Sequence, residues 1–193
     1  REIDLPRLEE FRKVYRFTFL LAGIIYTSGM ALFPKLISST GIQLQNVGFL
    51  TVGANVGGFL SFVFLSLFRF WVGSPGLSFI TMISVFGAAV ATFFLPESPV
   101  TFFLATLFSG ATYAVPYIFA IFYGLTSKED DHGKQGGIHE SMVGIIFGVG
   151  PLLGGYFLQL WPSLKSVGLM SISLITVIII SQMTFLFKNK VKR

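Results

Sequence analysis

Val100-Thr101-Phe102-Phe103-Leu104-Ala105-Thr106-Leu107-Phe108-Ser109-Gly110-Ala111-Thr112-Tyr113-Ala114-Val115-Pro116-Tyr117-Ile118-Phe119-Ala120-Ile121-Phe122-Tyr123-Gly124-Leu125 runs without a single Asp, Glu, Lys or Arg. A helix needs roughly 20 predominantly apolar residues to cross about 30 Å of hydrocarbon, so this stretch is long enough to span a bilayer. A charge at the bilayer centre costs at least about 2.5 kcal/mol, which gives the absence its meaning. Working outward, the same kind of gap recurs at Phe17–Pro34, Val47–Phe68, Leu77–Leu95, Ile138–Leu160 and Ser166–Phe187, and only Glu140 interrupts any of them. The sequence therefore predicts an all-α, multi-pass transmembrane bundle of six helices.

Charge gives the bundle a direction. Threaded through a bilayer, the chain puts twelve of its fourteen Lys and Arg on one side, with only Lys35 and Lys165 on the other. Basic loops are retained in the cytoplasm, so both ends of the chain are expected there, in a plasma or inner membrane. The 53% hydrophobic and 12% charged composition, with 23 Phe, suits a surface in contact with lipid rather than water. The net charge of +5 is spread along membrane boundaries instead of gathered in a patch with aromatic platforms, which argues against a nucleic-acid partner. Without Cys there is no disulfide, thiolate metal site or cysteine nucleophile. Glu129, Asp130, Asp131 and His132 form no second cluster with which to complete a coordination shell, so no metal or cofactor is expected. The chain opens on Arg1 rather than Met, as expected of a piece of a longer protein.

Three parts follow from the pattern. Residues 1–16 read as a cytoplasmic juxtamembrane segment, with Asp4 as a cap, Pro6 in the first turn, and Leu8, Phe11 and Tyr15 at helical spacing. Residues 17–187 form the six-helix membrane domain, and residues 188–193 a basic cytoplasmic tail. Ser38–Asn46, Gly73–Gly76 and Pro96–Pro99 read as turns, and Ser127–Gly137 as an aqueous loop. Trp71 and Trp161 are expected at opposite membrane interfaces. No residue-level repeat is visible; six helices could divide as three plus three, 17–95 against 100–187, as an inverted repeat would, and the sequence alone neither confirms nor excludes that division.

The fifth segment carries Gly144, Gly148 and Gly155 on one helical stripe, with Pro151 between them. Small residues in such a stripe let a neighbouring backbone approach closely, and a proline there can bend the helix. Its run Gly150-Pro151-Leu152-Leu153-Gly154-Gly155 is similar to the Gly-Pro-x-x-Gly-Gly signature of the major facilitator superfamily of secondary transporters. In layout the chain resembles one six-helix half of such a transporter, most closely the second half. It departs from the family in having Ile146 four residues before the Gly-Pro pair, where the family has Gly. The inner-loop motif Gly-x-x-x-Asp-Arg-x-Gly-Arg is reduced to Arg69 and Gly73. The resemblance implies a partner, the other six-helix half, and a central solute cavity lined here by the first, second, fourth and fifth helices.

Residues on those helices suit a lining. Tyr26 lies near mid-depth of the first. Asn55 follows Gly48 and Thr51 at helical spacing on the second, and an amide at that depth needs water or a polar partner, in the cavity or between helices. Ser109, Tyr113 and Tyr117 share a face of the fourth. Glu140 reads either as a gating or coupling carboxylate paired with Arg69 or Lys134, or as an acid favoured by a helix N-terminus. Such a lining fits a neutral or amphipathic small molecule better than a strong anion. The expected function is secondary active transport by alternating access, with no enzymatic step. The alternatives are a non-transporting scaffold or receptor with this fold, and a rhomboid-like serine protease. The protease would need a His beside Ser28 or Ser109, and neither His132 nor His139 is expected within the membrane core.

Overall fold

Each of the six apolar stretches is helical. The computed structural model describes residues 5–39, 41, 45–126, 132–161 and 163–191. Its helices are α1 (Leu5–Ser39), α2 (Gln45–Leu67), α3 (Pro75–Phe93), α4 (Pro99–Leu125), α5 (His132–Leu160) and α6 (Leu164–Val191), with a single 3-10 turn at Arg69–Trp71. No strand occurs among the described residues. Helices α1, α3, α4, α5 and α6 are each long and apolar enough to cross a bilayer. Helix α2 has 23 residues, and its described apolar part is Val52–Leu67. Local chemistry sets the starts of α3 and α4. Pro75 and Pro99 stand in the first turns, and the Ser98 hydroxyl caps α4 by accepting from the Thr101 N–H at 3.1 Å.

Helix directions follow from which residues meet. In α1 and α4, Phe11 stacks on Tyr123, while Tyr15 meets Phe119 and Phe33 meets Phe102 edge-on, so the two run antiparallel through the centre of the bundle. Helix α2 lies parallel to α4, and α5 parallel to α1, each with glycine at the crossing. A Cβ on Gly57 would overlap the Leu107 carbonyl oxygen, and one on Gly110 would overlap that of Ala54. On α5, a Cβ on Gly154 would stand 2.9 Å from the Ser28 carbonyl oxygen, and one on Gly150 would overlap the Thr27 hydroxyl. Thr27 and Ser28 then donate across that contact to the carbonyls of Ile146 (2.9 Å) and Gly150 (2.5 Å). Helices α3 and α6 pack on α4 and α1 respectively and on each other, away from the face shared by α2, α4 and α5. Arg12, Lys13, Arg16, Arg69, Lys134 and Lys188 accordingly gather at one end of the bundle, and Lys35 and Lys165 at the other.

Several boundaries differ from the sequence reading. Helix α1 continues unbroken through residues 5–16, where a separate surface segment is expected. Its 35 residues measure roughly 52 Å at 1.5 Å per residue, well beyond the hydrocarbon. Within this extension Leu8, Phe11 and Tyr15 are buried against Tyr123, Phe185 and Trp71. Trp71, in the turn at the basic end, and Trp161, just after α5, lie at opposite ends of the bundle; Trp71 is buried there at 3% exposure, with its indole N–H donating to the Leu65 carbonyl at 3.1 Å, whereas Trp161 is exposed. Residues 132–137 are the first turns of α5, not loop, while the acidic triplet 129–131 lies outside the described residues. Residues 188–191 continue α6, and Lys188 pairs with Glu10 at 3.1 Å.

Candidate functional site

The face between α1, α2, α4 and α5 carries an aromatic wall. Tyr113 and Tyr117, one turn apart on α4, have ring centroids 5.8 Å apart. Tyr26 of α1 lies 4.9 Å from Tyr113, and Phe62 of α2 meets Tyr117 edge-on at 5.8 Å. All three tyrosines are half-buried, packed on one side and open on the other. Phe19, seven residues before Tyr26 and so on the same stripe of α1, backs both Tyr113 and Tyr117. The structure thus brings Tyr26, Tyr113 and Tyr117 together on one face.

Asn55 is exposed on α2, two turns before Phe62 on the same stripe, which turns toward Tyr117 and away from the glycine contact with α4. Its exposure does not fit a buried interhelical hydrogen bond. On α5 the glycines separate into two faces. Gly150 and Gly154 are buried against α1, whereas Gly144, Gly148 and Gly155 have nothing within 4 Å of a would-be Cβ. The expected close approach is therefore made by Gly150 and Gly154, because only that side of α5 turns toward α1. Glu140, Gly144, Gly148, Pro151 and Gly155 form a bare stripe on the open side, and α5 runs continuously through Pro151.

His139 was not legible as part of this wall. Its ring stacks on Phe19 (5.0 Å, 8° between planes) and meets Tyr117 edge-on at 4.8 Å. It is buried, with neither ring nitrogen hydrogen-bonded. The next residue, Glu140, is exposed. Arg69 is exposed in the 3-10 turn, and among the described residues Glu140 forms no ion pair with Arg69 or Lys134. The loop that carries Arg69 is held instead by Tyr123, whose hydroxyl accepts from the Gly73 N–H at 2.9 Å. Neither serine of the protease alternative is hydrogen-bonded to His139, and Ser28 donates to Gly150.

Chemically, the face offers phenol hydroxyls, an amide, an imidazole and a carboxylate over aromatic surface. That combination suits reversible binding of a small amphipathic molecule through ring faces and a few polar contacts. No protein family, curated protein or solved structure matches the chain.

Proposed function

We propose that the chain forms one six-helix half of a secondary transporter of the major facilitator type, moving a small solute by alternating access. The observation that carries this reading is the tyrosine wall, left open on α1, α2 and α4 beside the bare Gly144–Gly148 stripe of α5. In a self-sufficient bundle that face would be filled. Here its small and polar side chains suit a solute on one side and a second six-helix half on the other, with lipid around the back.

The packing pattern supports a three-plus-three repeat. Exchanging α1 with α4, α2 with α5 and α3 with α6 turns the α1/α5 contact into the α4/α2 contact, and α1/α6 into α4/α3. Both glycine-sealed pairs are parallel, and both outer helices lie against a central one. Inverted repeats of this kind hold a solute near the bilayer midplane and move by rocking one bundle against another. The test is solute flux in proteoliposomes holding the full-length protein, both halves together, with Asn55→Ala and Tyr113→Ala against wild type. The reading expects at least one to raise the half-saturating concentration or abolish flux. Unchanged flux and affinity in both would remove this lining, and absence of flux alongside solute-dependent signalling would favour a receptor.

A further inference from the structure

Below the tyrosine wall, at the basic end, a cavity of about 170 Å³ opens between α1, α4 and α5, with Arg16, Gln135, His139 and Glu140 in its walls. Arg16 reaches it from α1 and donates from Nη2 to the Gln135 carbonyl at 3.1 Å. Gly124 makes room for it, since a Cβ there would stand 3.2 Å from that nitrogen. Four atoms of these residues are buried without a hydrogen-bond partner: Arg16 Nε, Gln135 Oε1 and both ring nitrogens of His139. Gln135 and His139 are 5% and 4% exposed, so bulk water does not serve them. Buried polar groups are nearly always paired, and four orphans around one cavity point to an occupant.

Their chemistry describes it. Gln135 Oε1 accepts, Arg16 Nε donates, and a neutral imidazole does one of each, so the occupant must bring both donors and acceptors. The Arg16 guanidinium and the Glu140 carboxylate line the same cavity without pairing. The ion pairs among the described residues are Lys13–Glu9 and Lys188–Glu10. A lone anion would meet Glu140 and a lone cation Arg16, whereas a molecule carrying both charges satisfies both poles. At about 30 Å³ per water-sized atom the cavity holds roughly five or six atoms, the size of an ammonium and carboxylate on one carbon. Anything larger must extend past His139 onto Tyr117 and Phe62.

We propose that this cavity holds the charged head of an amino-acid-type zwitterion, with an apolar side chain lying on the tyrosine wall. The carboxylate meets Arg16 and the His139 N–H; the ammonium meets Glu140 and Gln135 Oε1. This names a substrate class for the transport reading and rests on it.

The test is thermal unfolding of the purified full chain in detergent, followed by circular dichroism. Three probes share one side chain: L-leucine, 3-methylbutylamine, which lacks the carboxylate, and 4-methylpentanoate, which lacks the ammonium. Leucine is expected to raise Tm saturably and the other two to leave it unchanged. Glu140→Gln, an exposed isosteric change, is expected to raise the half-maximal leucine concentration at least tenfold. Gln135→Leu is expected to abolish the leucine shift while raising the ligand-free Tm, because it removes a buried unpaired acceptor. A shift from the amine or the acid equal to that from leucine, no shift from any probe, or an unaltered leucine response in Glu140→Gln would overturn the proposal. The transport reading stands or falls separately, on flux in Asn55→Ala and Tyr113→Ala, whichever way the leucine result falls.

Discussion

Replacing Gly110 by Ala adds one methyl group at the α2/α4 crossing, and the geometry there gives the effect its size. The new Cβ would overlap the Ala54 carbonyl oxygen and stand 2.7 Å from its carbonyl carbon and 2.8 Å from its Cα. Carbon atoms rest about 3.5–4.0 Å apart, so the helices must separate by about 1 Å. A gap of 0.5–1 Å forfeits roughly a quarter to a half of the attraction of each contact along the seam. The obstacle is backbone, which cannot rotate away as a side chain would, and overpacking of this kind costs about 1–3 kcal/mol. Alanine returns up to about 1 kcal/mol through its helix propensity, so a cost at the upper end of that range, as a backbone obstacle implies, leaves a net loss of about 2 kcal/mol. Unfolding of the purified chain from dodecyl maltoside by added SDS, read by circular dichroism, measures it. Gly148→Ala is the control. Nothing lies within 4 Å of its Cβ position, so it is expected to be neutral or stabilising by up to about 1 kcal/mol. Equal or greater stability of Gly110→Ala than wild type, or the same response from both glycines, would refute the reasoning.

Two further effects are expected in the same assay. Thr18→Val removes the hydroxyl that accepts from Gln182 Nε2 at 2.6 Å between α1 and α6, with an expected loss of about 0.6–1.7 kcal/mol. A loss near zero would mean that Gln182 finds another acceptor. Tyr123→Phe keeps the stacking on Phe11 but leaves the Gly73 N–H without its acceptor, with an expected loss of about 1 kcal/mol and faster hydrogen exchange at the Gly73 amide. Unchanged exchange would show that the loop is held by Trp71 alone.

The six helices were legible because exclusion of charge from hydrocarbon acts on every residue of a crossing, and its trace is local. Contact partners leave no such trace. Leu8, Phe11 and Tyr15 announced an amphipathic stripe, but the charges around them, Glu9, Glu10, Arg12, Lys13 and Arg16, read equally well as a solvated surface helix. What decides burial is Tyr123 and Phe185, more than a hundred residues away. The glycines of α5 show the same limit. Gly144 and Gly148 share the four-residue spacing of Gly150 and Gly154, and only the position of α1 selects the second pair. Trp71 was placed at the membrane boundary by the interfacial preference of indole, but that its N–H meets a carbonyl at the end of α2 and not water is a tertiary fact. Of the site, the tyrosines were readable from their spacing, whereas His139 was not. Its place near the start of α5 suggested the rim, and the rotation that stacks it on Phe19 is a tertiary fact.

The chain brings no thiol of its own, so a single engineered cysteine can report whether the stripe of α2 beside the tyrosine wall faces water. Asn55→Cys and Leu60→Cys both sit at exposed positions of α2, on sides about 140° apart by helical geometry. In native membranes, a membrane-impermeant maleimide is expected to label Asn55→Cys at a rate that changes when a transported solute is added, and to leave Leu60→Cys, facing lipid, unlabelled. Asn55→Cys as inert as Leu60→Cys would mean that the face is covered by lipid, and the cavity, with the transport built on it, would be contradicted.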